Sequence, residues 1–219
     1  VALTPDRVRA YRDDYRAESI RAGYHGWRHL ATMTAICITA ICVAVSMIVS
    51  LGWAELAIIP ITWVIANLVE YGVHRGPMHH LSVGLGRLYR RHTSQHHRFF
   101  SSELMAVDSH RDFHVTLFPA WMSLFFVGMI GVPMALATYW LLGRDAALLM
   151  YAAIVLYYLV YEWLHLSAHM PKDSLLGRLP PVRFARSHHG LHHDPCKMRR
   201  ANFNFAFPLG DWLFGTWER

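Results

Sequence analysis

Four stretches of this chain carry almost no charge, and they constrain its fold more than any other feature. Leu30 to Ala54 is 25 residues without a charged side chain or a histidine. Glu55 interrupts, and 14 more uncharged residues run to Val69 before Glu70. Val115 to Gly143 adds 29 and Ala146 to Tyr161 adds 16, with the apolar character continuing through Trp163 and Leu164. A helix needs about 20 mostly apolar residues to cross about 30 Å of hydrocarbon. The pattern predicts an all-α integral membrane protein, residues 1–219 as one domain, with four transmembrane helices at roughly 30–50, 54–75, 116–139 and 146–169. The first pair forms a hairpin through Gly52-Trp53, and the second pair turns at Leu142-Gly143-Arg144-Asp145. The first stretch is too long and too late to be a cleavable signal peptide.

The 21 Lys+Arg against 15 Asp+Glu give a net charge of +6, and their placement matters more than their number. Six arginines lie between Arg7 and Arg28, six more between Arg75 and Arg111, and eight basic residues follow His169. Arg144 is in the second hairpin turn, so 20 of 21 fall on one side of the four-helix arrangement. The positive-inside rule puts that side in the cytoplasm. Residues 1–29 are then a basic, Tyr-rich cytoplasmic segment near the membrane surface, and 170–219 a cytoplasmic cap. Leu175, Leu176, Leu179, Val182 and Phe184, among basic residues, read equally as interfacial chain or as a solvated loop. No nucleic-acid module is recognisable, so no nucleic-acid partner is expected. Three cysteines exclude a disulfide framework and an all-thiolate cluster. Nineteen arginines against two lysines fit a GC-rich bacterial genome, and hence the bacterial inner membrane.

Fourteen of the 16 histidines cluster at the cytoplasmic helix ends or in cytoplasmic chain, leaving out His25 and His29. The clusters are His74/His79/His80, His92/His96/His97, His110/His114, His165/His169 and His188/His189/His192/His193. Residues four apart on a helix differ by about 40° and three apart by about 60°. The pairs His165/His169, His92/His96 and His189/His192 are therefore expected to face one metal each. Adjacent residues diverge by about 100°, so His96 and His97, like His192 and His193, can serve two neighbouring metals. His74 and His79 would be splayed on a continuous helix, but Gly76-Pro77 allows a bend between them. Imidazole suits Fe, Zn, Cu and Ni, whereas Mg and Ca prefer oxygen.

Taken in order, His-x4-His (74, 79), His-x3-His-His (92, 96, 97), His-x3-His (165, 169) and His-x2-His-His (189, 192, 193) resemble the membrane-bound fatty acid hydroxylase/sterol desaturase superfamily. Glu70-Tyr71, Phe99-Phe100 and the ending Asn202-Phe203 … Asp211-Trp212-Leu213-Phe214-Gly215-Thr216-Trp217 agree with it. The resemblance covers about residues 60–219. It implies a di-metal cap with those ten histidines as ligands, two iron ions (with zinc a possible replacement on purification), and O2 as oxidant. It also implies hydroxylation of an unactivated C–H bond in a membrane lipid. Desaturation or carotenoid hydroxylation at the same kind of centre are the alternatives. His110 and His114 depart from the family pattern and are left out of the ligand set; His80 and His188 are taken as flanking residues.

Glu70, one turn before His74, and Glu162, three residues before His165, are candidates to accept Nδ1–H bonds from ligand rings. Asp194 and Asn202 have weaker positional support. The sequence has no cytochrome b5-like segment, Gly-rich dinucleotide fingerprint or thiolate cluster, so electrons are expected from a separate reductase, ferredoxin or cytochrome. A metal transporter would need polar residues through the membrane depth. A heme cytochrome would need opposed histidines on separate helices.

Overall fold

The computed structural model describes residues 4–219. Among these every regular element is helical, with no strand. In chain order the main elements are α1 (Pro5–Glu18), α2 (Gly26–Ser46), α3 (Glu55–Met78), α4 (residues 86–99), α5 (Trp121–Leu142), α6 (Arg144–Ala168), α7 (Pro180–His192) and α8 (Leu209–Leu213). Four of them, α2, α3, α5 and α6, are long and apolar enough to cross a membrane.

Their bounds differ from the sequence expectation in ways the backbone explains. α2 occupies Gly26–Ser46 rather than 30–50. The N–H groups of Val49 and Ser50 bond instead to Asp145 Oδ2, at 3.1 and 2.8 Å. The third span begins at Trp121, not at 116. Leu117 is extended (φ −70°, ψ 143°), and Pro119 disfavours helical geometry at Phe118 before it. α5 tolerates Pro133 because its helix widens just upstream, over Phe125–Gly131. That relieves the clash between the ring and the carbonyl four residues earlier. α5 ends at Gly143, whose φ of 91° only glycine adopts freely. α3 runs on to Met78, three residues past the expected end, and α6 occupies Arg144–Ala168 instead of 146–169.

The described chain forms two compact units, divided within α3 and α6. One comprises residues 27–66 and 118–162. Here Trp63 donates to Ala153 O (3.1 Å) and meets the Tyr157 ring edge-on, while Phe126 stacks on Tyr158 at 4.3 Å. Gly131 lets Tyr151 approach so closely that an added Cβ would lie 2.8 Å from its ring. Ile61, Ile65, Leu136, Trp140 and Leu141 are exposed, which suits a surface bathed in lipid.

The other unit comprises residues 4–26, 67–117 and 163–219. It contains all ten expected ligand histidines, and it extends well beyond the cap expected at 170–219. Phe99, Phe100, Phe113, Leu117, Leu166 and Phe203 are its largest fully buried apolar side chains. α1 buries Val8, Arg12 and Tyr15 in this unit, with the Tyr15 ring edge-on to Phe99 at 5.6 Å.

Candidate metal centre

The ten histidines converge as two groups of ring nitrogens. His74, His79, His92, His97 and His192 form the first, and His96, His165, His169 and His189 the second, with donor atoms within 4.8 Å of one another in each. His193 adds a fifth nitrogen to the second group: its Nε2 is 3.1 Å from His96 Nε2 and 2.9 Å from His189 Nε2. Nine of the ten are buried and His97 is half-buried.

Local helix geometry decides which histidine joins which group. Residues 90–96 and 74–78 are wider π-type turns, and Gly76 leaves helical geometry altogether (φ −84°, ψ −105°). A turn lengthened by one residue aligns positions five apart rather than four. His92 therefore meets His97 (Nε2–Nε2 3.0 Å), and His74 joins His79 in the first group. This corrects the expectation that His92 and His96 share a metal: His96 points to the second group. α7 is regular, and its four-apart pair His189/His193 meets in the second group. His192 is carried to the first group, so His189 and His192 do not share a site. The adjacent pairs His96/His97 and His192/His193 do divide between groups, as their divergence on a helix requires.

Backbone carbonyls orient the rings. Nδ1–H of His74 donates to Phe203 O, and that of His192 to Ala201 O at 2.8 Å. In the second group His169 donates to Met105 O (2.8 Å), His193 to Phe100 O (2.9 Å) and His96 to Val115 O (3.3 Å). A carbonyl only accepts, so each of these rings has its proton on Nδ1 and a bare lone pair on Nε2. His96 and His193 thus face each other at 3.1 Å with no hydrogen between. The first group contains an equivalent pair. The Thr93 hydroxyl proton goes to Met78 O, so His79 Nδ1 donates to Thr93 Oγ1 (3.3 Å). His79 Nε2 then meets His192 Nε2 at 3.0 Å, again lone pair to lone pair.

Such contacts are repulsive unless a cation lies between them. Protonating the rings is opposed. Burial, and then the neighbouring histidines, hold His92, His189 and His192 well below the usual imidazole range. Burial is also the leading cause for His96, His169 and His193. A metal ion resolves the conflict. Nitrogens at about 2.0–2.1 Å from one ion lie about 2.9–3.4 Å apart at tetrahedral or octahedral angles, and the two pairs fall in that range. The donor sets fit two imidazole-binding metals, one per group.

Two further devices hold the carbonyls in place. Asp211, fully buried, accepts the N–H groups of Phe203 and Asn204 (both 2.9 Å) and the Thr216 hydroxyl (2.7 Å), and lies 3.2 Å from His188 Nε2. Asn67 donates to Phe207 O at 2.7 Å. Both shape residues 201–207, which supply the acceptors for His74 and His192. Glu70 accepts the Phe205 N–H, and the Phe205 ring lies 4.4 Å from His189 and 4.5 Å from His165. Its contact is thus with the chain behind the ligands, whereas carbonyls take the Nδ1–H role expected of it. Glu162 lies in the other unit and accepts the Phe118 N–H at 3.3 Å. Asn202 has φ +58° and bonds His188 O and Glu218 O, while Asp194 accepts the Cys196 N–H.

The remaining histidines have other surroundings. His110 stacks on His25 at 4.2 Å, and His114 Nδ1 is 3.1 Å from Tyr15 Oη. His188 faces Asp211, and His80 is exposed. None of them belongs to either nitrogen group. Sequence reasoning missed Asp211 and Asn67 as site-building residues. Asp211 lay within the recognised C-terminal motif; Asn67 carried no local signal.

Fold and site together define an all-helical protein with four helices long and apolar enough to span a membrane and two histidine clusters that could hold metal. The profile of the fatty acid hydroxylase family matches residues 59–216, which spans most of the chain and includes all ten histidines. The protein belongs to the fatty acid hydroxylase family, within the fatty acid hydroxylase/sterol desaturase superfamily, and is accordingly an oxidoreductase. Searches of curated proteins and of solved structures return no match.

Proposed function

We propose that this protein is an O2-dependent hydroxylase of membrane lipids, using two irons held by the two histidine groups. Bound there, the irons would supply what no side chain has, the means to activate O2 and attack an unactivated C–H bond. The protein's own part is to bind and orient. Ten neutral imidazoles present their Nε2 or Nδ1 lone pairs. The carbonyls of Phe203, Ala201, Phe100, Met105 and Val115 fix the tautomers of five of them. Phe100 stacks on His169 at 4.0 Å and Phe205 on His74 at 5.5 Å, excluding water from the ring faces. Neither group includes a carboxylate among the described residues, so ions held there would keep their positive charge. The observation that carries this reading is the pair of proton-free nitrogen contacts, one per group, in a chain of this family.

The substrate in this reading is a fatty acyl or related chain entering from the bilayer. Electrons come from a separate reductase, ferredoxin or cytochrome. The positive charges on one side of the four spans support a cytoplasmic face for the site, so tags at both termini should be cytoplasmic, and a terminus on the far side would refute that orientation. The central test is comparative lipid mass spectrometry of cells with and without the protein. A lipid heavier by one oxygen, absent when His169→Ala replaces the native chain, supports hydroxylation. Loss of two hydrogens would make the enzyme a desaturase, and no lipid change would reject both.

A further inference from the structure

We propose that Arg12 is a positioning residue for the second metal position, that of His96, His165, His169, His189 and His193. The inference rests on the two-metal reading above, and it gives α1, which lies outside the stretch matched to the family, a part in the centre.

Arg12 is only 3% exposed and places four of its five N–H groups on one loop. Nε donates to Phe99 O at 2.8 Å, Nη2 to Leu104 O at 2.5 Å, and Nη1 to Ala106 O and Asp108 Oδ2, both at 3.1 Å. The carbonyls next in sequence face the other way. Phe100 O takes the His193 proton and Met105 O the His169 proton. A single guanidinium therefore holds one side of residues 99–108 while the other side supplies the acceptors for two ligand rings. The loop has no regular secondary structure after Phe99 to hold those carbonyls itself. The guanidinium also lies over the Phe100 ring, 5.2 Å from its centroid, and Phe100 in turn stacks on His169. Arg91 treats the third acceptor similarly, bonding His114 O and Leu117 O on either side of Val115.

The first group has a different scaffold. His74 and His192 rest on the Phe203 and Ala201 carbonyls, in the segment that Asp211 holds through its N–H groups. None of the Arg12 hydrogen bonds involves that segment. The two metal positions should consequently be separable by mutation. Lysine at position 12 would keep the charge but not the planar fork that spans three carbonyls and a carboxylate.

The test uses the full chain in detergent, dialysed against buffered zinc, with zinc per folded chain counted by elemental analysis. Wild type should hold about two ions. Arg12→Lys and Arg12→Met should hold about one, the second binding at least tenfold more weakly. Adding His165→Ala to Arg12→Lys should cost nothing further, whereas adding His79→Ala should bring the count near zero. A merely structural arginine would lower the melting temperature without choosing between positions. Two equally tight ions in Arg12→Lys, or parallel loss of both, would overturn the proposal. If wild type itself binds fewer than two, the two-metal reading fails first, and visibly so.

Discussion

Acidifying the metal-free protein from pH 7.5 to 5.5 should unfold the histidine-containing unit. Seven buried histidines outside the membrane spans (His79, His92, His96, His169, His189, His192 and His193) have pKa values held below the ordinary 6.5, with burial as the leading cause. The folded chain keeps these rings neutral while the unfolded chain protonates them. Stability is therefore full above about pH 6.5 and is lost as pH falls below that value toward the depressed folded-state values. Each ring held neutral below its unfolded-state value costs on the order of 1 kcal/mol at pH 5.5, so the set together is comparable with the stability of a whole domain. A domain's whole stability is about 5–15 kcal/mol. Bound metal competes with this by stabilising only the folded form. The assay is a thermal melt in detergent at half-unit pH steps, for chelated and zinc-loaded protein. The chelated form should lose its transition between about pH 6.5 and 5.5, and the loaded form should resist to lower pH. A chelated protein with the same melting temperature at both ends would mean that the rings are charged or hydrated, and the buried-neutral argument would fail.

Three further outcomes are expected. His96→Ala, His97→Ala, His169→Ala and His192→Ala should each abolish detectable lipid oxidation and reduce bound metal. His110→Ala and His114→Ala should retain two ions by elemental analysis, and His25→Ala and His29→Ala should be nearly silent. Loss of a metal in either of the former two would show a different ligand set. Asp211→Asn keeps the shape and one acceptor oxygen but replaces the other by an amide donor, leaving one buried N–H group unpaired at a cost of about 1–3 kcal/mol; a melting temperature unchanged within error would contradict its role. Gly210→Ala places a Cβ 2.7 Å from Tyr71 and from Asn204 Oδ1, an overpacking cost of about 1–3 kcal/mol. Gly72→Ala, with nothing within 4 Å, should cost none of it.

The sequence by itself determined the four spans and the existence of a histidine centre. Uncharged runs such as Leu30–Ala54 suit a bilayer whatever the chain does elsewhere, and the order of His-x4-His, His-x3-His-His, His-x3-His and His-x2-His-His is specific enough to identify a family. Divergence of neighbours on a helix even foretold that His96/His97 and His192/His193 would split. The pairing of His92 with His97 instead of His96 was decided by π-type turns that hydropathy and spacing do not register. The same holds for what orients the rings. His193 depends on Phe100 O, 93 residues away, His74 on Phe203 O, 129 away, and Arg12 grips Phe99 O across 87. A backbone carbonyl is present at every residue, so no residue type marks the ones that act. Only tertiary packing brings a given carbonyl to a histidine ring, and only there does an arginine in the first helix reach the loop whose carbonyls orient those rings.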